Sequence, residues 1–136
     1  MQSLFAITPT TTDVVAGGTI PLEQPARRIS PVIQLSANSI TIPGGQCRAG
    51  YYRVSGTVTL SSATTGDAQI ELHKNGSALP GIVAQGTIST ATTQLITLPI
   101  EGIVRVEQDD ISVLTLVNAG IAITVSNVAL VVERIY

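Results

Sequence analysis

The chain of 136 residues contains no tryptophan, one cysteine (Cys47) and one histidine (His73). A single cysteine excludes a framework of internal disulfides. With only one cysteine and one histidine, the chain also lacks the ligands for most zinc sites and the residues for most nucleophilic triads. Only 12% of the residues are charged, about half the ~25% of an average domain, whereas 44% are hydrophobic. This balance excludes a disordered chain, which combines high charge with low hydrophobicity.

Charge and hydropathy also limit the classes of partner that the protein can bind. Seven basic residues and a net charge of −2 argue against a nucleic-acid-binding surface. No run of about 18 apolar residues exists, so we expect no contact with a membrane. The first 13 residues lack the basic start and apolar core of a signal peptide, so we expect synthesis in the cytoplasm.

Strand-forming residues dominate what is present. The chain has 17 threonines, 16 isoleucines and 14 valines, which together are 47 of its 136 residues. These β-branched residues favour strands, and no long segment has the apolar spacing of an amphipathic helix. Glycine, proline and asparagine recur at short intervals and mark turns between short strands. The sequence predicts one all-β domain over residues 1–136, of a size near that of an ordinary domain.

Alternating apolar residues predict the strands of the central part of the chain. Apolar side chains share one face over residues 52–60 and again over residues 68–73. Asn75-Gly76 then predicts a tight hairpin, because both residues accept the positive φ angles of a type I′ turn. Residues 79–83 are expected to form the return strand. Pro99 interrupts a further alternation and favours an edge position, because proline cannot donate to a neighbouring strand.

Two later segments are apolar on both faces. In residues 111–117, Leu114 and Leu116 alternate with other apolar residues, and the closing segment behaves similarly. The parity of the apolar positions in the closing segment switches after Asn127, which predicts a bulge. Because a two-sheet sandwich buries one face of each strand, and large exposed apolar patches usually mark interfaces, we expect a homo-oligomer.

The first 45 residues are less regular. Val14-Val15, residues 29–35 and residues 40–42 are short strand candidates among prolines and threonines. Two roles stay open for this segment: it completes the sheets, or it forms an arm that contacts a capsid or another partner.

Four segments resemble the tumour-necrosis-factor-like and complement-globular-head-like jelly rolls. Residues 50–58 are similar to the "G-x-Y-x-V" strand, and residues 72–76 to the "L-x-x-N-G" hairpin. Residues 104–113 resemble "V-x-L-x-x-G-D-x-V-x-V", although Gln108-Asp109 stands where the glycine is usual. Residues 129–135 resemble the closing strand, "A-x-L-x-V-x-R-L". The resemblance covers roughly the last two thirds of the chain.

The resemblance implies an antiparallel jelly-roll sandwich of ten strands that assembles as a trimer. Within this family the sequence resembles bacterial and phage members, including the heads of collagen-like spore-surface proteins and phage decoration or head-fibre proteins. Residues 15–22 are similar to the opening of short phage proteins, and the chain lacks Gly-X-Y repeats. We place the trimer interface at a set of largely apolar side chains: Tyr52, Val54, Ile111, Val113, Leu114, Leu116, Leu130, Val132 and Tyr136.

These observations predict a non-enzymatic structural protein of the virion. It would decorate a phage capsid or form its head fibre, with the major capsid protein as partner and Arg27 and Arg28 as candidate contacts. The alternative is a receptor-binding head of a phage fibre or bacterial surface protein that binds a host-surface glycan. We expect no catalytic residues, no cofactor and no metal, because the acidic residues, His73 and Cys47 form no constellation. Calcium binding by Asp109 and Asp110 is left open.

Overall fold

Strands account for nearly all the regular structure. The computed structural model describes residues 3–28 (the backbone alone for 26–28), 33–36, 38–45 and 49–136. Within that part of the chain it contains no helix able to span a membrane. The strands are β1 (Ser3–Thr8), β2 (Thr12–Val14), β3 (Gln24–Arg28), β4 (Gln34–Ser36), β5 (Ser39–Ile42), β6 (Gly50–Ser61), β7 (Gly66–Lys74), β8 (Ser77–Ile88), β9 (Ile96–Val106), β10 (Ser112–Asn118) and β11 (Ile123–Arg134).

The strands form two antiparallel sheets that pack face to face. Sheet A has the order β3-β1-β11-β6-β9, and β2 also pairs with β11. Sheet B has the order β4-β5-β10-β7-β8. The predicted all-β, antiparallel jelly-roll sandwich is confirmed. The described residues hold eleven strands rather than the predicted ten, because short pieces such as β2 and β4, of three residues each, count separately.

The core lies between the sheets and follows the predicted alternation. Every second residue of β6 points inward, and Tyr52, Val54, Val58 and Leu60 are buried. Sheet B supplies the opposite wall through the alternating buried residues of β7 and β10. Each fully buried Leu, Ile or Val side chain contributes about 1.5–3 kcal/mol relative to an exposed one. Burial of every second residue therefore fixes which face of each sheet is turned to the core.

The closing strand bends where its apolar parity switches. Val125 pairs with Leu60 and Asn127 pairs with Thr59, so Ser126 is an extra residue in β11. Its hydroxyl donates a hydrogen bond of 3.2 Å to the backbone oxygen of Thr59. The predicted bulge is confirmed, and the apolar residues on both sides of it face the core.

The predicted Asn75-Gly76 hairpin joins β7 to β8. Asn75 and Gly76 have φ angles of 53° and 85°, as the type I′ turn requires. The Asn75 side-chain oxygen accepts a hydrogen bond of 2.8 Å from the Val113 amide, and the Asn75 amide donates one of 2.8 Å to the Val113 oxygen. The turn is thus fixed against β10. Pro99 lies in β9, at the edge of sheet A as predicted.

The described part of the first 45 residues completes both sheets. β1 and β2 pair with β11, and β5 pairs with β10. This is the first of the two roles left open by the sequence, and the candidate strand 29–35 lies partly outside the described residues. The sequence pattern misses β1 because residues 4–7 are apolar at every position and show no alternation.

Asn118 ties the N-terminal segment to the end of β10. Its buried side-chain amide donates to the backbone oxygens of Val14, Val15 and Ile121, at 3.3, 3.1 and 2.8 Å. Its side-chain oxygen accepts a hydrogen bond of 3.1 Å from Gly120. One side chain therefore satisfies backbone groups from two distant parts of the chain.

We expect Asn118→Ala to lower the free energy of unfolding by about 2–4 kcal/mol, because several backbone groups at a buried site lose their partner. Asn127→Ala is the matched control, since Asn127 is exposed at the bulge and surface changes stay within about 0.5 kcal/mol. Urea unfolding of the two variants measures the difference. Equal stability would contradict the role given to Asn118.

Candidate functional site

Most of the predicted interface residues lie inside the sandwich of a single chain. Their side chains are at most 1% exposed and pack between the sheets, so they cannot contact a second subunit. The prediction is corrected for these positions because double-sided apolar strands still turn one face to their own core. The residues concerned are Tyr52, Val54, Leu114, Leu116, Leu130 and Val132.

The other three predicted interface residues do not share one surface. Val113 is partly exposed on the outer face of β10 in sheet B, and Ile111 is exposed just before that strand. Tyr136 lies at the end of sheet A, where its backbone oxygen accepts a hydrogen bond of 3.2 Å from the Tyr51 amide. The structure therefore divides this set between two sheets.

The outer face of sheet A carries apolar side chains that the predicted interface set does not include. Phe5 is 36% exposed and lies opposite Val131, while Ile7 lies opposite Ala129 in the next row of the same strands. Ile103, on β9, is 59% exposed. We call this set the A-face. Its members come from β1, β9 and β11, and only the strand order places them on one face of the sheet. The outward Arg53, Ser55 and Thr57 of β6 lie between Ile103 and the other members.

Charges at the A-face are few: one ion pair, and Glu133 of β11, which lies opposite Arg53 of β6. The Arg53 guanidinium donates to the Glu101 carboxylate at 2.7 Å, with side chains 49% and 63% exposed. An exposed pair of this kind contributes about 0–1 kcal/mol. With Gly102, Ile103 and Ile135, these residues line an open hollow of about 550 Å³. The pair leaves the apolar rows beside it uncovered.

The candidate partner contacts lie at the edge of sheet A. The backbones of Arg27 and Arg28 belong to β3 and pair with Phe5 and Leu4. Their side chains lie outside what the structure describes, as does Cys47. Contact of the two arginines with a capsid stays a prediction.

His73 lies on the outer face of β7 as expected. Its Nε2 is 3.4 Å from the Glu71 carboxylate, and both side chains are partly buried. The neighbouring strands place Thr115 and Ala78 opposite it. Among the described residues, the side chain of His73 is hydrogen-bonded to Glu71, and no hydrogen bond joins it to a hydroxyl or thiol, the contact by which a histidine activates a nucleophile.

Asp109 and Asp110 are exposed between β9 and β10. The nearby Glu107 carboxylate is 3.1 Å from the Arg105 guanidinium. Calcium takes about six to eight oxygen ligands, and no group of three or more candidate metal ligands occurs among the described residues. Calcium binding here stays an open hypothesis.

Two tyrosines that are far apart in the sequence meet at one end of sheet A. The rings of Tyr51 and Tyr136 are 6.2 Å apart between centroids and inclined by 65°. They are 41% and 84% exposed, and they line an open hollow of about 510 Å³, which we call the tyrosine hollow. Its lining residues are Ala49, Gly50, Tyr51, Arg105, Val106, Glu107, Gln108, Arg134 and Tyr136.

Comparison with known proteins identifies the fold. No protein-family model matches the sequence, and no curated protein sequence matches it. The structure is similar to the globular domain of zebrafish complement 1qA protein, with a TM-score of 0.71, 6% identity and coverage of 100% and 98% of the two chains. It is also similar to murine APRIL, with a TM-score of 0.70, 13% identity and coverage of 97% and 98%.

A third solved structure, Eiger TNF from S. frugiperda, is similar with a TM-score of 0.75 and 10% identity, covering 99% of this chain and 91% of that one. The fold is therefore that of the tumour-necrosis-factor-like and complement-globular-head-like jelly rolls. This confirms the fold that the four sequence motifs indicated. Identities this low establish the fold alone, because one fold hosts many functions.

Ser112, at the start of β10, is a buried polar residue in the core. Its hydroxyl is buried and has no hydrogen-bond partner among the described residues. The Thr8 hydroxyl is equally buried, but it donates to the Pro21 oxygen at 2.6 Å and accepts from the Glu23 amide at 3.1 Å. The two buried hydroxyls therefore differ in whether their hydrogen bonds are made.

We expect Ser112→Ala to raise the free energy of unfolding by about 1 kcal/mol, because a buried polar group without a partner costs roughly that much or more. Thr8→Val keeps the shape of the side chain but leaves the Pro21 oxygen and the Glu23 amide without a hydrogen-bond partner. It should therefore lower the free energy of unfolding by about 1–3 kcal/mol. Urea unfolding of both variants tests the opposite signs. Destabilisation by Ser112→Ala would mean that its hydroxyl is paired.

Proposed function

We propose that the protein is a non-enzymatic head domain that works as a homotrimer mounted on a larger surface, that of a phage capsid. The exposed apolar A-face carries the proposal of self-assembly. The outer face of this sheet is open in the single chain, and large exposed apolar patches usually mark interfaces. Trimeric assembly is also what the resemblance to the jelly-roll family implies.

The size of sheet A suits a stable contact. Its longest strands have 11 and 12 residues, and a strand rises about 3.3 Å per residue with neighbours about 4.8 Å apart. The five strands span at most roughly 36 Å by 24 Å, on the order of 800 Å², which is the area per partner of a standard interface. A head-to-tail contact, in which this face packs against a different surface of the next subunit, closes into a ring of three when each step rotates by a third of a turn.

We expect Ile103→Asp to convert the assembly to monomers, because it adds a second carboxylate beside the Arg53–Glu101 pair in a surface that must lose water on contact. Val83→Asp is the matched control: Val83 is 47% exposed on β8, in sheet B. Light scattering should give three times 14.1 kDa, about 42 kDa, for the parent and the control. A monomeric parent, or a trimeric Ile103→Asp protein, would reject the A-face as the interface.

Decoration of a phage capsid is the finer part of the proposal. A threefold head matches the threefold positions of an icosahedral shell, and its contribution would be stabilisation and display rather than turnover. The similarity of residues 15–22 to short phage proteins favours a capsid protein. Arg27 and Arg28, at the edge of sheet A, are candidate contacts with an acidic shell surface.

The purified protein should sediment with purified cognate capsids and dissociate as salt is raised, since exposed charge contacts are screened. Changing Arg27 and Arg28 together to Gln should weaken binding at least several-fold while the mass in light scattering stays trimeric. Absence of binding at every salt concentration would refute decoration. Unchanged binding by the double variant would refute only the arginine contacts.

A receptor-binding head is the second candidate function. The tyrosine hollow favours it, because exposed aromatic rings beside polar side chains form a surface able to hold a small ligand. The isolated trimer would then bind host cells, which decoration alone does not require.

A further inference from the structure

We propose that the tyrosine hollow binds a neutral saccharide. The inference rests on the receptor-binding function above and not on capsid decoration. Its first support is geometric, because Tyr51 and Tyr136 are brought into edge-to-face contact at the end of sheet A. Tyrosine combines an apolar ring face with a polar hydroxyl, which matches the apolar faces and hydroxyl rim of a sugar ring.

Polar side chains stand beside the two rings. Arg105, Glu107 and Gln108 line the same hollow and are exposed. Together they offer guanidinium and amide donors and carboxylate and amide acceptors, and hydroxyl groups of a sugar can use both kinds. The hollow of about 510 Å³ falls within the roughly 300–1,000 Å³ of small-molecule sites.

The charges around the hollow favour a neutral ligand. The Arg105 guanidinium lies 3.1 Å from the Glu107 carboxylate. The Arg134 guanidinium donates to the backbone oxygens of Ala49, at 2.7 Å, and of Tyr136, at 3.3 Å. Both cations are therefore already engaged, and an acidic sugar would have to displace one of these contacts.

The backbone beneath the rings is fixed. The Tyr51 amide donates to the Tyr136 oxygen at 3.2 Å, and the Ile135 amide donates to the Tyr51 oxygen at 2.9 Å. Gly50 has a φ of 146°, and a Cβ there would collide with the Tyr136 oxygen, so glycine permits this close approach. A preformed backbone lowers the cost of ordering on binding, so the hollow is built to hold its ligand without rearrangement.

The test is saturation-transfer NMR on the full chain with four probes: the neutral sugars chitotriose, maltotriose and lactose, and the acidic sugar sialyllactose. We expect at least one neutral probe to bind with a millimolar or tighter Kd. Tyr136→Ala and Tyr51→Ala should each weaken it at least tenfold, and Tyr136→Phe should keep most of it. Leu95→Ala removes an apolar side chain outside the hollow whose exposure, 62%, lies between those of the two tyrosines, and it should change nothing.

Three outcomes would overturn the proposal: no neutral probe binds the parent, sialyllactose alone binds, or both alanine variants keep the parent affinity. Light scattering on the same samples distinguishes a failure of saccharide binding from a failure of trimer assembly. A trimer that binds no neutral probe rejects the saccharide site alone. A monomer that binds one rejects the trimer and leaves the site standing.

Discussion

The pairing of β11 on both of its edges is the constraint on which sheet A depends. One edge pairs with β6 over ten partner positions, from Ser61 to Tyr52. The other edge pairs with β1 and, beyond the bulge at Ser126, with β2. Since β11 lies between β1 and β6, sheet A forms only when strands that are far apart in the sequence come together.

Much of the fold follows from period-two patterning, because burial of one face fixes each strand. Residues 52–60 and 68–73 alternate as β6 and β7 do, and the parity switch at Asn127 marks the bulge. β1 escapes this reasoning because its inward Leu4 and Ala6 are interleaved with the outward Phe5 and Ile7. When both faces are apolar, the sequence loses the contrast that reveals a strand.

The candidate surfaces were less predictable because they are built across strands. Phe5 meets Val131, and Tyr51 meets Tyr136, only through strand order and register. Neither of these contacts can be predicted from the properties of the single residues. The apolar positions chosen for the interface were the inward ones, such as Leu130, because the strongest apolar signal in a strand comes from its buried face. The outer face gives the weaker signal, because its apolar residues alternate with polar ones such as Arg53 and Ser55.

The apolar outer row of β11 also affects how uniquely that strand is aligned. A slip of one residue would turn Val128, Leu130 and Val132 outward and bring Ala129 and Val131 into the core. Polarity at these positions scarcely opposes the slip, because both rows are apolar. Glu133 does oppose it, since the slip would carry its carboxylate inward to a place where an unpaired charge is costly. Glu133, together with the exposed Asn127 at the bulge, therefore favours the observed alignment of β11 over a slip that the residues between them would tolerate.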